Sequence, residues 1–113
     1  MGTERRETWF WIAQRASAAV LAVCVLVHLC TVIYAVRGGL TATEILERTR
    51  GSVGWLAFYS VFVFAAAVHA PIGLRTILIE WVGWRSPWRD AALLAFTALL
   101  VTLGAEAVLG VFL

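Results

Sequence analysis

The sequence has no lysine, only two cysteines, two prolines and two histidines, and little charge of either sign, with 14% charged residues in 113. So few charges against 62% hydrophobic residues and a mean hydropathy of +0.88 exclude an ordinary soluble domain. Such a domain would have to hide three all-round apolar helices in a core too small to cover them. Cys24 and Cys30 lie six residues apart inside one apolar run, a spacing that suits neither a disulfide clasp nor a zinc pair. They are expected to behave as small buried apolar residues. A cleaved leader is not expected either: the first apolar run is too long for a signal-peptide core, carries Arg15, and has no small-residue cleavage pattern after it.

What is present is three long apolar runs separated by short polar ones. Each reaches the ~20 residues needed to cross a hydrocarbon core of ~30 Å. The expected fold is an all-α membrane protein, one transmembrane domain over residues 1–113 with three transmembrane helices at about 10–36, 54–79 and 87–113. Residues 1–8 are polar and mixed in charge, which suggests a frayed arm, and Trp9 and Trp11 mark the membrane interface. Gly38-Gly39 ends helix 1. In the connector that follows, Thr41 and Glu44 have the spacing of a capping box, Ile45 and Leu46 supply an apolar side, and Gly51 is a stop. These features predict a short interfacial helix between helices 1 and 2. Pro71 falls inside helix 2, where it removes one hydrogen bond and loosens the preceding turn. Ser86-Pro87 supplies an N-cap and a first-turn proline for helix 3.

The nine cationic residues are all arginine, and their distribution sets the orientation. Arg5, Arg6, Arg15, Arg75, Arg85 and Arg89 collect at one end; Arg37, Arg48 and Arg50 collect at the other, beside Glu44 and Glu47. That bias places the N-terminus on the cytoplasmic side of a bacterial inner membrane and the C-terminus outside.

His28 and His69, each deep in an apolar run, are the main candidates for function, because a titratable ring within a bilayer is costly and marks a functional site by default. Imidazole is also a common axial ligand of haem iron. On helix 1, Ser17, Leu21, Cys24, His28, Thr31 and Ala35 recur at three- and four-residue steps and so share a face. On helix 2, Phe62, Ala66, His69, Gly73, Thr76 and Glu80 do the same, with Ala66 and Gly73 leaving room for a flat macrocycle or a close helix. Taken alone, either ring could also be a histidine bonded to a backbone carbonyl or another helix. The spacing leaves open whether the two hold one haem between them or serve separate haems. Arg15, Ser17 and Trp11 could hold a quinone, or could be an interfacial anchor and a serine bonded to its own helix. Arg75 has haem propionates as its functional alternative, and Glu106 either shuttles protons or reaches interfacial water.

The arginine, serine and histidine patterns resemble those of the succinate dehydrogenase/fumarate reductase membrane anchors, the cytochrome b type with three transmembrane helices. Gln14-Arg15-Ala16-Ser17-Ala18 is similar to the motif in which an arginine, and a serine two residues on, open helix 1 at the quinone pocket. Here Ala18 replaces the usual glycine, and Gln14 stands where histidine is common. His69-Ala70-Pro71-Ile72-Gly73-Leu74-Arg75, followed by Glu80, is similar to the helix 2 motif, with glutamate in place of the usual aspartate. The resemblance implies that His69 is an axial ligand of haem b, that Gly73 gives the porphyrin room, and that Arg15 and Ser17 lie at the quinone. It implies His28 as ligand of a second haem, as in two-haem members. It further implies a non-catalytic anchor of a succinate:quinone oxidoreductase or fumarate reductase. The expected cofactors are one or two haems b, shared with a second anchor subunit, and ubiquinone or menaquinone. The expected partners are an iron–sulfur subunit, a flavoprotein subunit, that second anchor and lipid, with no nucleic acid. The rival expectations are a cofactor-free structural or assembly protein and a small transporter subunit using Glu106 and the histidines as a polar path.

Overall fold

The computed structural model describes residues 2–113. In chain order come α1 (Thr3–Arg37), α2 (Ala42–Thr49), α3 (Val53–Ile77) with a π-helical turn continuing it (Leu78–Val82), and α4 (Pro87–Phe112). Three helices, α1, α3 with its π turn, and α4, are long and apolar enough to cross a membrane, and α2 is the short helix between the first two. This is the all-α, three-helix architecture expected from the apolar runs.

The distribution of apolar side chains fits lipid as solvent. Leu26, Phe64 and Leu94 are 63%, 73% and 72% exposed, and among the described residues no large side chain is fully buried. In water such a surface would far exceed the apolar patches that soluble monomers leave open. The chain is a multi-pass α-helical membrane protein.

The ends of the helices follow from local chemistry. Gly38 caps α1 and Gly39 takes φ +64°. The Leu40 N–H then donates to the Ala35 carbonyl at 3.0 Å, and that of Gly39 to Val36 at 3.2 Å, the pair of bonds of a Schellman motif. At α2 the capping box forms as expected: Glu44 N–H donates to Thr41 Oγ1 at 3.2 Å, and Thr41 N–H to Glu44 Oε2 at 2.7 Å. Ser52 caps α3 by accepting from Trp55 N–H, and Ser86 caps α4 by accepting from Trp88 N–H, with Pro87 in the first turn.

Two boundaries depart from the sequence reading. Residues 3–8 are not a frayed arm but the first two turns of α1, held by tertiary contacts: Glu7 pairs with Arg75 at 3.0 Å, and the Arg75 guanidinium lies 4.6 Å from the Phe10 ring centre. At 1.5 Å per residue α1 is ~52 Å long, matching the 50 Å long axis of the molecule. It therefore overshoots a ~30 Å hydrocarbon core. The second departure lies at the end of α3, where the α-helix runs through Pro71 to Ile77. It then widens into the π turn before Gly83, at φ +74°, stops it.

α3 is the central helix, packed against α1 on one side and α4 on another. Small residues make the approaches close. A Cβ added to Gly104 of α4 would collide with the Val63 side chain of α3. α2 lies against the far end of α4, where the Gly51 N–H donates to the Phe112 carbonyl at 2.9 Å. The ends of the molecule thus gather as the arginine distribution implied: Arg6 and Arg75 at one, Arg48 and α2 at the other.

Candidate functional site

Helical periodicity decides which side chains enter the seam between α1 and α3. The face defined by Ser17, Leu21, Cys24, His28, Thr31 and Ala35 is the less exposed face of α1; Ser17 and Cys24 are buried and the other four half-buried. Cys30 is exposed, so the two cysteines leave the helix on different sides. Stepping the same face back toward the N-terminus adds Gln14 and Phe10, both half-buried.

His69 enters this seam beside Ser17. Its Nδ1 lies 3.4 Å from Ser17 Oγ, and that hydroxyl donates to the Gln14 carbonyl at 3.2 Å. One turn along α3, the space of the missing side chain at Gly73 is taken by α1: a Cβ there would lie 3.1 Å from Gln14 Nε2. Within this chain Gly73 thus lets the Gln14 side chain of α1 come close to α3. Gln14 Oε1 is buried without a partner, as is Arg75 Nε.

His28 sits at a different level. Its ring is edge-on to Tyr59 and Phe62, with centroids 5.9 and 5.8 Å away, near the start of α3. Eleven residues of α1 separate His28 from Ser17, the contact of His69, which is ~16 Å along the axis. Metal–imidazole bonds are only ~2 Å long, so within one chain the two rings cannot meet on one metal. His69 lies toward the arginine-rich end and His28 toward α2. His28 lines a cavity of about 790 Å³ with Thr31, Tyr34, Arg48, Trp55 and Tyr59 among its walls. That volume falls within the ~300–1,000 Å³ of small-molecule and cofactor sites. At its rim the Arg48 guanidinium donates to the Tyr34 hydroxyl at 3.4 Å, a bond that raises the Arg48 pKa further. Nearby, the Glu44 carboxyl is held below its ordinary range, chiefly by the Thr41 backbone N–H.

The expected quinone trio does not share one surface. Two residues of helix turn a side chain by ~200°, so Ser17 points inward while Arg15 is exposed, its guanidinium 5.3 Å from the Trp11 ring centre. Arg75 is bound to Glu7 and faces Phe10. With Arg6 and Phe10 of α1 and Asp90 of α4 it lines a second cavity, of about 480 Å³, at the arginine-rich end. Neither of these two cavities is lined by His69. Glu80, in the π turn, and Glu106 are both exposed.

Sequence reasoning missed Gln14 and Glu7 as contacts of the site, and Tyr59 and Phe62 as the aromatic walls around His28. Gln14 was within reach, since it continues the Ser17–His28 face by three residues. The pairing of Glu7 with Arg75 had no signal, because it depends on where two helices cross.

A chain that sheathes three long helices in apolar side chains and seats Ser17 and His69 in the seam between two of them is a polytopic membrane protein. Comparison with known families places it more closely: residues 1–105 match the family described as the succinate dehydrogenase/fumarate reductase transmembrane subunit, and the chain belongs to that family. No curated protein and no solved structure matches it.

Proposed function

We propose that this chain is a haem-bearing membrane anchor of a succinate:quinone oxidoreductase or fumarate reductase, with His69 as an axial ligand of haem b. The observation that carries the reading is the environment of His69: one ring nitrogen is engaged by Ser17 inside the seam, which leaves Nε2 as the free donor atom. Metal-bound histidines are held in this way, the second nitrogen being fixed by an outer partner. The donor set suits a haem. Among the described residues no group of three or more His, Cys, Asp or Glu gathers to hold a bare metal ion, whereas a haem iron asks a chain for one imidazole. The other walls of the haem site would come from the second anchor subunit, against the apolar faces that this chain leaves exposed.

When bound, the haem supplies a one-electron relay within the membrane. This chain's own residues bind and orient. His69 would hold the iron and, with its neighbours, tune its potential. Arg75, held by Glu7, would pair with the haem propionates. Arg15 over Trp11 presents a cation and an aromatic surface on the outward side of α1, suited to a quinone ring and carbonyl. His28, with Tyr59 and Phe62 around it, offers a second ligand ~16 Å farther along α1, in a cavity of cofactor size. Dicarboxylate chemistry would belong to a flavoprotein and an iron–sulfur protein docked on the cytoplasmic, arginine-rich end. The test is haem per flavin, by pyridine haemochrome, in the complex purified with His69→Ala. Loss of one b-type haem supports the reading. Full haem retention would remove His69 as the ligand, and the absence of any Soret absorption in the parent protein would point instead to a cofactor-free or transporting membrane protein.

A further inference from the structure

We propose that Ser17 is a positioning residue for the iron ligand: it fixes His69 as the Nδ1–H tautomer, leaving the Nε2 lone pair free to bind. This rests on the reading of His69 as an axial ligand and assigns Ser17 to the histidine instead of the quinone.

The argument is a count of protons. A serine hydroxyl has one proton to donate and two lone pairs to accept with. Ser17 Oγ donates to the Gln14 carbonyl at 3.2 Å, a bond to its own helix three residues back. With its proton on that carbonyl, Ser17 offers a lone pair to His69 Nδ1, 3.4 Å away. An acceptor facing Nδ1 requires the ring to carry its proton there. In neutral imidazole the other nitrogen is then the acceptor, and that is the form a metal binds. The opposite assignment, with Ser17 donating to Nδ1, would break its bond to the Gln14 carbonyl and put the ring proton on Nε2, where no iron could bind.

Burial makes the arrangement persist. Ser17 is only 6% exposed, so water has little access to replace either bond. Arg15, the other half of the quinone motif, lies ~200° around α1 and is exposed. A quinone seated against Arg15 is therefore on the wrong side of the helix for the Ser17 hydroxyl. Accepting from Nδ1–H also raises the basicity of Nε2, which favours the ferric iron over the ferrous and lowers the haem potential.

The test uses the whole complex purified with Ser17→Ala, Ser17→Thr and His69→Ala. Readouts are haem per flavin, the haem midpoint potential, the low-spin EPR signal, and the KM for quinone. Outer-shell substitutions of this kind typically weaken metal binding 10–100-fold. Ser17→Ala is expected to lose haem affinity in that range, or to raise the potential. A tenfold loss of ferric over ferrous preference corresponds to about 59 mV for one electron. Ser17→Thr, which restores the hydroxyl, is expected to return both to the parent values, with the quinone KM within twofold in all cases. Parent-like haem content, potential and EPR signal in Ser17→Ala would overturn the proposal. So would a change confined to the quinone KM, or a haem change that threonine does not restore. His69→Ala with full haem instead removes the ligand assignment itself, so the two failures are distinguishable.

Discussion

Glu7 and Arg75 meet at 3.0 Å across the α1–α3 seam, joining the first turns of one membrane helix to the last turns of another. The Arg75 side chain is 13% exposed and that of Glu7 52%. The arginine thus gives up most of its water while its partner keeps much of its own, and solvent screening limits what the pair contributes to about 1 kcal/mol. The contact ties the polar start of α1 to α3. Glu7→Gln is expected to speed amide hydrogen exchange over residues 3–9 and leave residues 20–30 unchanged. Unaltered exchange over residues 3–9 would show that the arm is helical without the pair.

The close approach of α3 and α4 rests on Gly104. A methyl group there would overlap Val63, and overpacking of this kind typically costs about 1–3 kcal/mol. Gly104→Ala should lower the melting temperature of the purified protein in detergent, and Val63→Ala added to it should recover most of the loss. Additive losses in the double variant would mean that the two residues do not share one contact.

The capping box of α2 makes a pH prediction outside the membrane. Glu44 is held below the ordinary carboxylate range in the folded protein, mainly by the Thr41 backbone N–H and then by its side chain. A depressed folded pKa means that the contribution is fully present above the unfolded pKa, near 4.3 for a free glutamate. It is lost as pH falls through the lower folded value. The Thr41 amide NMR signal should therefore titrate at a pH below that of a free glutamate, and be flat in Glu44→Gln. A titration at or above the free value would contradict the depressed pKa.

His28 and His69 are predicted to act independently, being ~16 Å apart along the axis. In the purified complex His28→Ala should remove a haem signal that His69→Ala leaves intact, and the double variant should lose both. Should either single substitution abolish all haem while the complex still assembles, the two-level arrangement would be wrong for the assembly.

Much of this fold was legible because membranes simplify the problem. Long apolar runs, the Gly38-Gly39 stop, the Thr41–Glu44 box and the Ser86-Pro87 start all act through the local backbone, and each appears where the spacing put it. The buried face of α1 was equally readable, because α1 packs on one side only and its 3.6-residue period shows. α3 was less so. Packed against two helices, it buries Ala65, Ala67 and Pro71 while Phe62, Ala66, His69 and Gly73 are only half-buried, and no single stripe describes it. The contacts of the site itself, Ser17 to His69 and Gln14 to Gly73, depend on the relative height of α1 and α3, which no pattern within either helix encodes. The same is true of the start of α1: residues 3–8 look like a tail until Arg75 is placed beside them.

The central claim is that the His69 imidazole is braced on one nitrogen in order to bind iron with the other. A density map of the purified complex, with side chains resolved at the α1–α3 seam, tests it most directly. The account predicts a porphyrin iron about 2 Å from His69 Nε2, with Nδ1 still on Ser17. A ring that touches only protein, with no porphyrin beside it, would contradict it.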